Sequence, residues 1–276
     1  MRISIESLSA RHHAAPAGST AALKPVSLQV APGEQIAVIG PSGAGKTTLL
    51  HALACALKPV AGKFELDGTD PWQLSVARLQ KLRGRLFLAP QSPPLPPRQR
   101  VITAVLAARL PRQSLLASLR SLIYPSHISE AEAALARFDL ANKLWDRVDR
   151  LSGGERQRVG LARALVSSAS LWLIDEPLSS LDPSRAALAI ESLTQAAKEH
   201  GATLITTLHQ VDVARRFARV IGLRDGEIQF DLPSPDVTPR RLADLYAQHE
   251  HELAGAPPDP GDDAGGDAPL AVMYCR

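Results

Sequence analysis

Cysteine is almost missing from this chain of 276 residues: there is Cys55, in a stretch that reads as helix, and Cys275, next to last. Two such residues give no disulfide framework, which sets aside the small secreted scaffolds and points to a reducing compartment. No apolar run reaches the roughly 18 residues of a membrane-spanning helix, and no secretory signal pattern opens the sequence. The chain is therefore expected to be soluble, or held at a membrane by a partner. Dense basic runs are missing as well. The formal charge is +3, but five acids against Arg276 leave residues 251–276 at −4 and the remainder at +7. A basic body suits nucleic acid or anionic lipid, yet scattered arginines without a run read as an ordinary solvated surface. No internal repeat is present. The length suffices to bury a sizeable core, as one large domain or a domain with a subdomain.

What is present is organised around Gly40-Pro41-Ser42-Gly43-Ala44-Gly45-Lys46-Thr47. The stretch fits G-x-x-x-x-G-K-[ST] in the right setting. Residues 35–39 before it are apolar and β-branched, and residues 48–57 after it read as helix. Glycines let the backbone fold tightly, so that its N–H groups turn inward and cradle phosphate oxygens. The helix opening at Thr48 adds the positive end of its dipole. In such a loop Lys46 reaches the β- and γ-phosphates of a nucleoside triphosphate, and the Thr47 hydroxyl ligates Mg²⁺.

Strands are expected at residues 2–6, 26–30 and 35–39, and another at 63–67 before the Gly68 turn. Residues 11–20 form a loop of small residues containing His12 and His13. Residues 91–97 (Gln-Ser-Pro-Pro-Leu-Pro-Pro) exclude regular helix or a central strand and read as a stiff connector. Alanine- and leucine-rich segments at 101–110, 114–123 and 129–145 follow, and read as helices of a subdomain inserted into an α/β core. Residues 171–174 form a buried-type strand ending in Asp175-Glu176. A helix at 184–199, a strand at 203–207, a helix at 211–218, a strand at 219–223 and a final strand at 228–230 complete the alternation, which argues a largely parallel sheet. Beyond about residue 250 the chain turns rich in proline, glycine and aspartate and is expected to be disordered.

A second anchor is Leu151-Ser152-Gly153-Gly154-Glu155-Arg156-Gln157-Arg158. Gly153 lies 107 residues after Lys46 and 22 before Asp175. In that order and spacing the chain resembles the ATP-binding-cassette (ABC) family, whose signature is an LSGGQ-type sequence, over nearly all of residues 1–250. An exposed Ser-Gly-Gly at a helix start offers a hydroxyl, bare N–H groups and a dipole to a γ-phosphate. The resemblance implies an α/β fold: a P-loop ATPase core with a mostly parallel sheet, an N-terminal antiparallel β subdomain, and a helical subdomain inserted at about 92–155. It implies ATP and Mg²⁺ as ligands, and a homodimer in which Ser152, Gly153 and Gly154 cover the nucleotide of the partner subunit.

The same resemblance distributes roles. Asp175 sits behind Mg²⁺, and Glu176 orients and polarises the attacking water. Ser179-Ser180-Leu181-Asp182 matches the D-loop, with Asp182 also reading as a helix N-cap before Pro183. His209, 33 residues after Glu176, takes the place of the switch histidine at the γ-phosphate. Gln91 matches the Q-loop glutamine at Mg²⁺ and water, although Ala89-Pro90 before it and the prolines after it depart from the common pattern. The family usually stacks an aromatic ring on adenine, and residues 11–20 hold none. By position His12 substitutes for it, with His13 second, or both are solvated loop histidines.

Within the family, Leu208-His209-Gln210-Val211-Asp212, the extension at 114–125 and Asp244-Leu245-Tyr246 make the chain similar to the ATPases of bacterial phosphonate importers. That likeness implies a peripheral subunit on the cytoplasmic face of the inner membrane. Its partners would be permease subunits and a periplasmic or lipoprotein substrate-binding protein, and its cargo phosphonate, phosphite or phosphate. Two alternatives carry the same motifs: an ATPase of lipoprotein release or export, and a cassette acting on nucleic acid or ribosomes. The latter usually has two cassettes or a long coiled-coil insertion, neither of which is present, so no nucleic acid is expected.

Overall fold

The computed structural model describes residues 1–12, 21–113, 118 and 127–247. Strands β1 (Ile3–Ala10), β2 (Leu23–Val30) and β4 (Ala61–Leu66) form an antiparallel sheet in the order β2-β1-β4. The second sheet has six strands in the order β5-β6-β7-β3-β8-β9. These are β3 (Gln35–Ile39), β5 (Leu86–Ala89), β6 (Leu171–Ile174), β7 (Thr203–Thr207), β8 (Arg219–Arg224) and β9 (Glu227–Pro233). The first five in that order run parallel, and β9 returns antiparallel beside β8.

Parallel strands covered on both faces read as continuous apolar runs, and β3 and β6 show why. Ile36, Val38, Leu171 and Leu173 face a core shared with the antiparallel sheet and α1 (Lys46–Leu53). Ala37, Ile39, Trp172 and Ile174 face a second core on the other side of the sheet. That second core takes in α3 (Val101–Leu106), α4 (Ile128–Ala136), α5 (Gly153–Val166) and α6 (Pro183–Glu199). Each buried leucine or isoleucine in these layers contributes about 2 kcal/mol relative to exposure. Trp172 is fully buried, its indole N–H donating to the Ala169 carbonyl at 3.1 Å.

Several elements differ from the sequence expectation. The first helix stops at Leu53 rather than at 57, because Cys55 adopts a left-handed backbone (φ 55°) that a helix cannot carry. Residues 129–145 are not one helix: α4 ends at Ala136, Asp139 is left-handed (φ 56°), and 3₁₀ turns follow at Ala141–Lys143 and Val148–Arg150. In place of one helix at 101–110, α3 passes at Ala107 into a 3₁₀ turn that reaches Arg112 and contains Pro111. The helix expected at 211–218 is the single turn α7 (Val211–Ala214). Three helices or strands were unforeseen: α2 (Val76–Arg83), the edge strand β5 and the helix at residues 239–245. The chain closes, within the described residues, on α8 (Pro239–Leu245). The expected helix at 114–123 (apart from residue 118) and the acidic segment 251–276 lie outside the described residues.

The proline-rich connector is strapped down by hydrogen bonds. Pro97 and Gln99 carbonyls accept from the Asp149 and Val148 N–H groups, each at 2.9 Å. Gly160 of α5 passes so close to Pro93 that an added Cβ would lie 2.6 Å from the ring.

Candidate functional site

Because β5, β6, β7 and β3 run parallel, their carboxyl ends share one edge of the sheet, the usual place for a ligand in an open α/β fold. β3 leads into residues 40–47, which wrap back to open α1. Gly40 and Gly45 are obligatory there. Gly40 has φ 151°, and a Cβ would stand 1.9 Å from the Leu223 carbonyl oxygen. Gly45 has φ 98°, and a Cβ would meet the Ala22 carbonyl at 2.7 Å. Gly40→Ala is thus expected to lower the melting temperature by about 5–15 °C, as read by thermal unfolding of the ligand-free protein. A melt within about 2 °C of wild type would show that β8 yields to the methyl group.

Lys46, only 5% exposed, donates to the carbonyls of Gly40 at 2.8 Å and Pro41 at 3.1 Å. Its ammonium therefore stands inside the loop, at the place where phosphate oxygens would compete for it. Thr47 donates from Oγ1 to Asp175 Oδ2 at 2.8 Å, spanning from the start of α1 to the end of β6. Thr48 is buried in the first turn of α1. Burial raises the Asp175 carboxyl above its ordinary range, against the hydrogen bonds from Thr207 and Thr47. Thr47 and Asp175 together offer hard oxygen ligands, the type Mg²⁺ takes alongside phosphate oxygens and water. Among the described residues no group of three or more His, Cys, Asp or Glu side chains gathers to hold a metal alone. The pair thus fits an ion that arrives with a polyphosphate.

Glu176 follows with a left-handed backbone, φ 42°. Its Oε1 meets His209 Nε2 at 2.5 Å. Burial pushes this carboxyl up, but the hydrogen bond and charge of His209, with the charge of Lys46, outweigh it and leave Glu176 below its ordinary range. It is therefore an anion at neutral pH, its side chain 15% exposed.

Gln91 is exposed, two residues past the end of β5. That strand end is fixed to the acids, since the Asp175 N–H donates to the Ala89 carbonyl at 2.8 Å. Ser152 caps α5 in a reciprocal box: its Oγ accepts from the Glu155 N–H at 3.2 Å, and its own N–H donates to Glu155 Oε2 at 2.8 Å. This holds Glu155 below the ordinary carboxylate range, the Ser152 backbone bond being the largest cause. Gly154 lies against the next loop, where an added Cβ would be 2.8 Å from the Ser180 carbonyl. Two residues on, Asp182 caps α6, accepting from Ser184 Oγ at 2.6 Å and the Arg185 N–H at 3.0 Å. His12 is exposed just beyond β1. Ala10 pairs with Leu23, and the Ala22 carbonyl faces Gly45, so the mouth of that loop opens beside the phosphate loop. His13 lies outside the described residues.

The ABC transporter family model matches residues 23–179. The chain belongs to the ABC transporter family. It is 64% identical, over all of both chains, to the phosphonates import ATP-binding protein PhnC of Polaromonas sp. strain JS666. The figure and coverage are the same for PhnC 2 of Albidiferax ferrireducens. Among solved structures, a dimeric ATP-binding cassette in a post-hydrolysis state, bound to ADP and Pi, superposes with TM-score 0.72 at 27% identity. That match covers 84% of this chain and 98% of the other.

For an ABC cassette, the sequence motifs give most of the cluster but omit two of its members. Thr207 stands at the end of β7 between Asp175 and Glu176, donating to Asp175 Oδ1 at 2.6 Å and accepting from the Glu176 N–H at 2.9 Å. Gln157, buried on α5, donates to the Glu176 carbonyl at 3.3 Å. The one sequence signal for Thr207 is three threonines in a five-residue strand that is buried throughout. A hydroxyl in such a place needs a partner.

Proposed function

We propose that the chain is the ATP-hydrolysing subunit of a bacterial phosphonate importer, with phosphite or phosphate as the nearest alternative cargoes. The observation that carries the chemistry is the bonded cluster of Thr47, Asp175, Thr207, Glu176 and His209 beneath the phosphate loop. The cargo rests on the relatives named as phosphonate import proteins, matched over their whole length. The same names disfavour the export and lipoprotein-release alternative.

In this reading the N–H groups of Gly40, Pro41 excepted, through Ser42, Gly43, Ala44 and Gly45 to Lys46, Thr47 and Thr48 cradle the phosphates. The Lys46 ammonium leaves its loop carbonyls for the β- and γ-phosphates. Thr47 and Asp175, with Gln91, hold Mg²⁺, which neutralises charge on the phosphate oxygens when bound. Glu176 accepts a hydrogen bond from the attacking water and aligns it with phosphorus. His209, bonded to Glu176, stands ready to contact the γ-phosphoryl oxygens, and His12 lies against adenine.

The Ser152 hydroxyl accepts from the Glu155 N–H and is also bonded to the Glu155 carboxylate, and it turns from that carboxylate to a γ-phosphate oxygen when it meets the nucleotide. With Gly153 and Gly154 it covers the nucleotide of a second subunit, so that catalysis belongs to a homodimer, Asp182 sitting in the loop between the two sites. Residues 1–250 make up the ATPase domain, with the inserted helical subdomain at about 92–155, and residues 251–276 are an acidic sequence rich in proline and glycine. Among the described residues no helix is long and apolar enough to cross a membrane. The subunit is peripheral, held at the cytoplasmic face of the inner membrane by permease subunits that receive cargo from a substrate-binding protein.

The test is to tag the chain in its native host, solubilise membranes in mild detergent and identify what co-purifies by peptide mass. A polytopic permease with two copies of this chain is expected, and ATPase activity in proteoliposomes should rise when its binding protein is loaded with a phosphonate. Recovery only in the soluble fraction with nucleic acid, or stimulation by a lipoprotein instead, would overturn the importer reading.

A further inference from the structure

The two acids of the site are adjacent in sequence but point to different tasks, so something must fix one relative to the other. Glu176 does not supply that rigidity itself, because its φ of 42° lies in a region that residues with a Cβ rarely adopt. It persists only where the surroundings hold it. Three groups do so, one from α5, one from β7 and one from the loop that follows β7. His209 holds the carboxylate, Gln157 of α5 holds the carbonyl, and Thr207 of β7 holds the N–H.

Thr207 differs from the other two in that it also holds Asp175. The direction of its bonds follows from proton counting. The Glu176 N–H can only donate, so the Thr207 oxygen accepts from it, and the single hydroxyl proton goes to Asp175 Oδ1. The other Asp175 oxygen receives the Thr47 hydroxyl. The threonine is itself immobile: it is fully buried in a central strand, in register with Val38 of β3.

We propose that Thr207 is a positioning residue for ATP hydrolysis. Its hydroxyl locks the carboxylate beside Thr47 to the backbone of Glu176, so that the water-orienting acid keeps its place relative to the phosphate loop. This rests on the roles given to Asp175 and Glu176 above. It concerns a hydroxyl whose two bonds go to Asp175 Oδ1 and the Glu176 N–H.

The experiment compares Thr207→Val and Thr207→Ser with the full-length wild-type chain, measuring ATP affinity and single-turnover hydrolysis separately. Valine keeps the β-branched shape and removes the hydroxyl; serine keeps the hydroxyl. The valine variant is expected to bind ATP within about twofold of wild type while hydrolysis slows about 10- to 100-fold, the size of effect seen when a reacting group is misplaced by an ångström. Serine should restore most of the rate. In a Glu176→Gln background, Thr207→Val should add almost nothing, since the group it positions is already gone. Thr206 is the control: it is equally buried, and among the described residues its hydroxyl reaches only the Thr207 carbonyl, at 3.5 Å. Thr206→Val should leave hydrolysis within about twofold.

A native rate in Thr207→Val, an equal loss in the serine variant, or a full further loss in the Glu176→Gln background would overturn the proposal. Should the valine chain not fold, Thr207→Cys, with a thiol that bonds weakly, carries the same comparison. If Glu176→Gln itself hydrolyses ATP at the native rate, the reading of Glu176 falls, whatever Thr207 does.

Discussion

Glu176→Gln is expected to bind ATP with near-native affinity and to hydrolyse it about 10²–10⁴-fold more slowly. The amide matches the carboxylate in size, and its oxygen can still meet His209, so the shape of the site survives. What disappears is the negative charge that His209 and Lys46 maintain against burial. An anion there draws a proton of the attacking water and aligns its lone pair with phosphorus; a neutral amide aligns weakly and accepts no proton. With cleavage blocked, ATP remains between the two half-sites, and size-exclusion chromatography in ATP and Mg²⁺ should show a dimer that wild type populates only transiently. Phosphate release and elution volume measure the two parts independently. A variant that stays monomeric in ATP would count against the shared site, and one that still releases phosphate at the native rate would remove Glu176 from the water.

How much of this was legible in advance depended on whether the information was contiguous. The phosphate loop, the signature, Asp175-Glu176 and Asp182-Pro183 each carry their chemistry in neighbouring residues, because a loop that wraps a ligand or caps a helix is a local object. As elements of the fold, a strand-to-helix loop, two helix caps and a strand end, they stand where the sequence sets them. The β3 and β6 strands were equally plain, being short apolar runs buried on both faces. By contrast β5 is a four-residue edge strand with three half-buried members, which gives too little pattern to separate it from a loop. The broken helix after Ala136 failed for the opposite reason. Its alanines and leucines keep helical composition through residue 145, and only the left-handed turn at Asp139 ends it. Thr207 and Gln157 lay beyond any linear motif, since their partners are 32 and 19 residues away and only the sheet order β6-β7 and the path of α5 bring them together.

Lys46→Ala is expected to weaken ATP binding by about 10- to 100-fold, the scale of a lost charge-assisted hydrogen bond, and to abolish measurable turnover. Two effects combine. The ammonium that would meet the β- and γ-phosphates is gone, and the Gly40 and Pro41 carbonyls that it now bridges at 2.8 and 3.1 Å lose their donor. Alanine is a good helix former at the first position of α1, so the fold itself should hold. The two effects separate by ligand. Loosening of the loop would weaken ATP and ADP alike, whereas loss of a γ-phosphate contact weakens ATP more. Isothermal titration with both nucleotides should therefore show the larger loss for ATP. Equal losses would assign Lys46 to shaping the loop, and native ATP affinity with slow turnover would assign it to the transition state alone. The parked ammonium predicts the first of these three outcomes: a lysine already held by two carbonyls leaves them only for an acceptor that is more strongly negative, and the γ-phosphate is the most negative group the nucleotide offers.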